Sequence, residues 1–259
     1  MRRFALLIEY AGTDYQGFQA QENLLTVQGA LEGALSRVAD SPIRTVCAGR
    51  TDAGVHALGQ VVHFDTGAIR PLRAWIQGTN SIMSKSISVR HAIDAGMDFH
   101  ARFSAFSRTY RYVICNTKVT SALMANRAAW IRQPLDESAM QTGADFLLGE
   151  QDFSSFRSSQ CESVTAMRCV QAVQVRRAGD FVLIEITANA FLHHMVRNIA
   201  GVLIRVGMGV EPPEWVAEVL AAKDRRKAAE TAAAGGLYFV RVEYPEPFGF
   251  PENRSMLFL

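Results

Sequence analysis

Apolar positions recur along this chain with two periods, two residues and about 3.6 residues, and the changes between them outline its elements. Phe4, Leu6, Ile8 and Tyr10 alternate through a strand that Gly12-Thr13-Asp14 ends with turn chemistry. Thr26 suits an N-cap, because Val27, Leu31, Ala34, Leu35 and Val38 then return at helical spacing through Ala39 and make one stripe to pack on a sheet. The short apolar runs Ile43 to Cys47 and Val61 to Phe64 predict strands on either side of a loop. Trp75 to Ser81 reads as a helix. Ser86 to Ile93 alternates as a strand, and so does Ser107 to Cys115, where Tyr110, Tyr112 and Ile114 share a face opposite Thr109, Arg111 and Val113.

Polar residues from Asn116 to Ser121 interrupt this pattern and divide the chain into halves, 1–116 and 117–259. The second half opens with a predicted strand, Arg127 to Arg132. A helix capped by Asp136 follows, burying Met140, Ala144, Leu147 and Leu148 and stopping at Gly149. Arg168 to Arg177 and Asp180 to Thr187, joined by Ala178-Gly179, predict a hairpin. A long helix is expected from Ala190 to Val206, with Met195, Ile199, Val202 and Val206 on its buried face and His193, Arg197 and Gly201 on another. Pro212-Pro213 opens a helix around Trp215, Asp224 caps another that ends near Gly235-Gly236, and Leu237 to Tyr244 is the last strand. Runs of consecutive strands favour an α+β fold of two similar halves, each a largely antiparallel sheet with helices on one face.

Composition narrows the function. A chain of 259 residues, 49% hydrophobic, can bury a sizeable core, and a formal charge of +2 neither demands nor excludes a polyanionic partner. Basic groups such as Lys223, Arg225, Arg226 and Lys227 read as a solvated helix surface. Cys47, Cys115, Cys161 and Cys169 form no C-x-x-C pair and read as buried thiols of a reducing compartment. The amino terminus lacks a signal-peptide apolar region, and no apolar run reaches the roughly 18 residues of a membrane span, so the expectation is a soluble cytoplasmic protein.

Six histidines are scattered or, as His193-His194, adjacent, without metal-ligand spacing, so no metal is expected. Phosphate-binding glycine patterns and a G-x-S-x-G nucleophile are also missing, which removes nucleotide cofactors and serine chemistry. What remains is the loop Cys47 to Gln60, where Gly49, Gly54 and Gly59 surround Asp52, with Arg50 two residues before it. Glycines let a backbone turn tightly and present an acid rigidly, yet Thr and Asp beside Gly also make ordinary structural turns. The tyrosines of the fifth predicted strand and Arg197 admit plain structural readings as well, as a core aromatic and a solvated cation.

Taken together these stretches resemble the TruA family of tRNA pseudouridine synthases over nearly the whole chain. Cys47 to Gln60 is similar to the family's catalytic loop, and Phe99 to Ala105, Arg108 to Tyr112, Asn189 to Gly201 and Gly236 to Pro245 are similar to further family blocks in the same order. One early block departs: Ala11 and Phe18 stand where the family usually has aspartate and tryptophan. The resemblance implies the pseudouridine synthase fold, with an active-site cleft between its halves. It implies an isomerase, an intramolecular transferase that converts uridines 38, 39 and 40 in the anticodon stem-loop of tRNA. Asp52 would be the catalytic carboxylate, Tyr110 the ring stacked on the flipped base, Arg197 the basic partner of Asp52, Leu237 a wall of the uridine pocket, and Arg50 a loop brace or phosphate contact. The family implies a homodimer and no organic or metal cofactor.

These residue types suit that reaction. Breaking the bond from uracil N1 to ribose C1′ develops positive charge on the sugar, which an ionised carboxylate can stabilise or attack. A carboxylate in a site dry enough for a base is driven toward its neutral form, and an arginine beside it opposes this. A tyrosine replaces the stacking that a flipped base loses. Two other classes are consistent with parts of the pattern. A nucleosidase would use similar carboxylate chemistry, but the usual glycosidase plan needs a second carboxyl that this loop lacks. An RNA-binding module would keep the aromatics and arginines but would have no use for an aspartate that repels phosphate.

Overall fold

The computed structural model describes residues 1–251; residues 252–259, the tail of the expected second half, lie outside the described residues. Backbone contacts divide the chain into two compact units, one from Met1 to Arg108 that takes the chain up again at Phe239, the other from Thr109 to Tyr238. No described helix is long and apolar enough to cross a membrane.

The first unit contains β1 (Arg2–Tyr10), α1 (Val27–Ala39), β2 (Thr45–Cys47), β3 (His56–Thr66), α2 (Thr79–Ile82) and β4 (Ile87–Asp94). β1 lies between β3 and β4, antiparallel to both, and β2 pairs with β3. Thr26 caps α1 as its sequence requires, its hydroxyl accepting from the Gly29 amide at 3.2 Å. The expected helix at Trp75 winds as a π-turn, Ala74–Gly78, before running into α2. Phe4 to Ile8 are buried throughout, so β1 is covered on both faces. On one face Phe4 and its strand partner Phe64 close on Trp75, at centroid distances of 5.4 and 5.1 Å. On the other, His63 meets Phe99 and His100, supplied by the irregular chain that follows β4.

The second unit takes up β5 (Ser107–Cys115) at Thr109 and continues through β6 (Ala129–Trp130), α3 (Glu137–Asp145), β7 (Gly149–Asp152), β8 (Met167–Ala178), β9 (Phe181–Ala188), α4 (Met195–Gly207) and α5 (Trp215–Ala222). Its strand order is β5-β9-β8-β7, antiparallel along β7, β8 and β9, with β6 parallel beside β5. Cross-strand pairs tie β5 to β9: the Thr109 and Thr187 hydroxyls lie 2.8 Å apart, and Arg111 pairs with Glu185 at 2.7 Å. Asp136 caps α3 by accepting from the Ser138 and Ala139 amides. α4 buries every residue except Arg197 and Arg205, which are half-buried, and packs on α3. The last strand, β10 (Leu237–Glu243), passes from the second unit to the first after Tyr238 and neighbours β3.

Each unit is thus a largely antiparallel sheet with helices, the α+β class expected, and five local expectations are corrected. The helix capped by Asp136 ends at Asp145, short of Gly149, which leaves Leu148, foreseen as buried, beyond its end and exposed. The helix foreseen from Ala190 begins only at Met195, because His194 takes a left-handed φ of 64° that no helix interior accommodates. The strand foreseen over Arg127 to Arg132 shrinks to Ala129–Trp130. Asp224 caps only a 3-10 turn, Arg225–Lys227. The hairpin turns at Gly179-Asp180, one residue later than foreseen, since Ala178 already pairs with Phe181.

Candidate active site

The loop that carries Asp52 leaves β2 just after its ladder with β3, where the Ala48 amide still donates to the Val61 carbonyl at 2.8 Å. It is then held by the segment that follows β1. The Phe18 amide donates to the Thr51 carbonyl at 2.9 Å, and the buried Tyr10 hydroxyl lies 2.7 Å from the Thr51 hydroxyl. Past Asp52 the chain turns at Gly54, whose φ of 78° suits glycine, and the Gly12 amide donates to His56 Nδ1 at 3.1 Å. From within, Gln60 donates to the Gly49 carbonyl at 2.5 Å. Asp52 is therefore gripped one residue before and a few after, on a backbone with little freedom, and its side chain is half-buried. Arg50, on the same loop, is exposed.

Burial also sets the chemistry around this loop. It drives the Tyr10 phenol well above its usual range, with the Thr51 and Gln60 contacts opposing, so Tyr10 stays neutral as a brace. It pushes the Cys47 thiol up to about 11 against the pull of Arg50 and Arg102, which leaves that thiol unreactive near neutral pH. Of the two departures from the family pattern, Ala11 is exposed and Phe18 is buried against Tyr10, 6.2 Å between ring centroids. Phe18 thus supports the Asp52 loop from the core.

In the second unit Tyr110 points from β5 with 8% of its surface exposed, and its ring meets Phe191 edge-on at 4.9 Å and 76°. Phe191 has no periodic signal of its own, because it lies in the loop that periodicity merged into α4. Arg197 stands in the first turn of α4. Its Nε donates to the Ala232 carbonyl at 2.8 Å, and its own carbonyl accepts from the Ala232 amide at 3.2 Å. The chain that carries Ala232 is fastened to α4 again one residue away. The fully buried Asn198 accepts from Thr231 Oγ1 at 2.7 Å and from Arg225 Nη2 at 3.0 Å, while its amide donates to the Phe156 carbonyl at 2.8 Å.

Arg225 is therefore part of an internal polar network, contrary to the solvated role its basic neighbours suggested. Arg226 does face solvent, paired with Asp224 at 2.8 Å. Beyond Ala232 the Ala233 carbonyl accepts from the Tyr112 hydroxyl at 2.8 Å, and a 3-10 turn, Ala234–Gly236, delivers Leu237 nearly buried at the start of β10. Arg50 and Asp52 thus share a loop of the first unit. Tyr110, Arg197 and Leu237 belong to the second, where the run from Ala232 joins the base of Arg197 to Tyr112 and Leu237.

A family profile described as tRNA pseudouridine synthase matches residues 6–104 and 144–245, which takes in Arg50, Asp52, Arg197 and Leu237 and leaves Tyr110 between the matched stretches. The tRNA pseudouridine synthase A of Legionella pneumophila (strain Lens) is 55% identical over 251 residues, 97% of this chain and 96% of that protein. Proteins of the same name from Hydrogenovibrio crunogenus and Actinobacillus pleuropneumoniae serotype 3 are 54% and 52% identical over the same shares. A chain in the solved Cbf5-Nop10-Gar1 complex aligns at a TM-score of 0.39 and 10% identity, over 92% of this chain and 49% of its own, a likeness too remote to bear on function. The chain belongs to the tRNA pseudouridine synthase family and is an isomerase of that class.

Proposed function

We propose that this protein isomerises uridine to pseudouridine in the anticodon stem-loop of tRNA, at positions 38, 39 and 40, acting in the cytoplasm as a homodimer. Asp52 of the first unit serves as the catalytic carboxylate; Tyr110, Arg197 and Leu237 of the second bind and aim the base. Family membership supports the reaction class. The observation that supports Asp52 is the grip on its loop, through Thr51 on one side and through Gly54, whose amide donates to the Tyr15 carbonyl, on the other.

The reaction breaks the bond from N1 to C1′, turns the ring and rejoins it through C5, so no atom is gained or lost. Asp52 answers the positive charge that develops on the sugar. The target base leaves its stack at a cost of a few kcal/mol and regains about 1 to 3 kcal/mol against the Tyr110 ring, which Phe191 orients from its edge. The Tyr110 hydroxyl relays the C5 proton. Arg197 keeps Asp52 ionised and in line, and Leu237 closes the apolar side of the pocket.

One assay covers both catalytic assignments. Unmodified tRNA transcripts are incubated with wild type, Asp52→Asn and Tyr110→Phe, and pseudouridine is mapped by carbodiimide-blocked primer extension. Wild type modifies the anticodon stem-loop, Asp52→Asn falls by about 10⁴-fold or more, and Tyr110→Phe binds RNA but turns over slowly. Release of free uracil would mark a nucleosidase, and undiminished modification by Asp52→Asn would remove the carboxylate from the chemistry.

A further inference from the structure

The irregular chain between β4 and β5 is pinned more heavily than its lack of secondary structure suggests. Arg3 donates to the Phe99 carbonyl at 2.9 Å, the Ala101 amide donates to His63 Nδ1 at 3.1 Å, and the Tyr244 hydroxyl donates to the Ala101 carbonyl at 2.6 Å. The His100 amide and Ser104 hydroxyl are 2.9 Å apart, and the Arg108 guanidinium bonds the carbonyls of Arg102 and Ala105. Phe99 is fully buried beneath this stretch. Yet the same rigid stretch holds Phe103 with 75% of its surface in solvent, beside the exposed Arg102.

A phenylalanine on a mobile loop needs no explanation, but one held out from an over-determined loop marks a binding surface. Its neighbours say for what. The His100 ring stacks on Phe103 at 4.3 Å with planes 27° apart, and the Arg102 guanidinium lies 5.5 Å from the same ring. His100 is in turn packed on His63 at 4.7 Å, so the stack rests on the sheet. Aromatic planes layered with a guanidinium accept another flat π-system, and the cation suits a phosphate beside it. The stack also stands near the Asp52 loop, since the charges of both Arg50 and Arg102 act on Cys47 at its base. Both arginines are exposed, so positive charge is available on the surface near the open Phe103 ring.

We propose that His100, Phe103 and Arg102 form a stacking platform for an unpaired nucleobase of the substrate RNA neighbouring the target uridine, with Arg102 meeting the adjoining phosphate. The proposal rests on the reading of this protein as a tRNA-modifying enzyme and adds a second stacking site outside the uridine pocket. A single-stranded base is favoured over a protein partner because the ring is layered with the His100 imidazole and the Arg102 guanidinium, a flat stack with a cation beside it.

Fluorescence anisotropy with a labelled anticodon stem-loop RNA tests it, with pseudouridine formation on full tRNA measured in parallel and thermal melting as the control for folding. Phe103→Ala should weaken RNA binding about tenfold or more, Phe103→Leu should do the same although it stays apolar, and Phe103→Trp should bind as wild type. Arg102→Gln should lower the slope of log affinity against log salt by about one. Phe103→Ala or Phe103→Leu binding like wild type, while wild type forms pseudouridine, overturns the platform and leaves the function intact. Wild type that forms no pseudouridine on any tRNA overturns the function itself. A Phe103→Ala protein that changes oligomeric mass but binds RNA equally assigns the ring to a contact between copies and also overturns the platform.

Discussion

Arg197 sits in the first turn of α4, where a cation faces the positive end of the helix dipole, an arrangement that costs up to about 1 kcal/mol at an exposed site. A helix selected for stability alone would place an acid or a polar cap there. The proposed role beside Asp52 gives a reason for that cost, and the bond from Nε to the Ala232 carbonyl fixes the direction of the side chain. Arg197→Met should therefore keep the fold and most of the tRNA affinity while losing pseudouridine formation by about 10²-fold or more, the size of a lost electrostatic contact in a transition state. Single-turnover kinetics at saturating tRNA checks this, and a normal rate would end the role given to Arg197. Arg225 shows what residue type alone hides. Its charged neighbours predicted solvent, but its partners Asn198 and Thr231 lie 27 and 6 positions away in the chain, and no local pattern brings them together.

At the level of elements, the same helix explains both a success and a failure of pattern reading. Its apolar residues were legible as a buried stripe, and burial extends nearly all round because α4 is enclosed within its unit. Its start was not legible, because the apolar Ala190, Phe191 and Leu192 continue the stripe into a loop that His194 closes in a left-handed conformation. Gly201 carries the clearest element-level consequence. A β-carbon there would overlap the Glu230 carbonyl, so the chain from Ala229 to Ala233 can lie against α4 only over a glycine. Gly201→Ala gains about 1 kcal/mol of helix propensity, yet the backbone must move, so a net loss of about 1 to 3 kcal/mol is expected from urea midpoints. Turnover should fall as well, since the same displacement pulls Ala232 from Arg197. A variant as stable and active as wild type would show the contact to be soft.

Across the whole molecule, stability should carry an acid-side weakness from His63. Only 4% of this residue is exposed, and burial, aided by the charges of Arg3 and His100 and opposed by Asp65, lowers its pKa from 6.5 to about 4. Between those values the unfolded chain binds a proton that the folded one refuses. Stability is therefore full above about pH 6.5 and declines as pH falls toward 4, by up to about 1.4 kcal/mol per pH unit. Denaturant unfolding at pH 7, 6 and 5 should show a shallower decline for His63→Gln than for wild type; parallel curves would assign the effect elsewhere. By itself the sequence determined what depends on neighbours along the chain: most strands and helices, the Thr26 and Asp136 caps, the α+β class, and the glycine-framed loop around Asp52. Tertiary structure alone decided what depends on residues far apart: the Tyr10 and Phe18 grip on that loop, the Phe191 ring against Tyr110, and the Asn198 network behind Arg197. Local patterns record period and turn chemistry, which are properties of adjacent residues, while a side chain's partner across the fold leaves no periodic trace. The carboxylate could be seen in the sequence, but what holds it still could not.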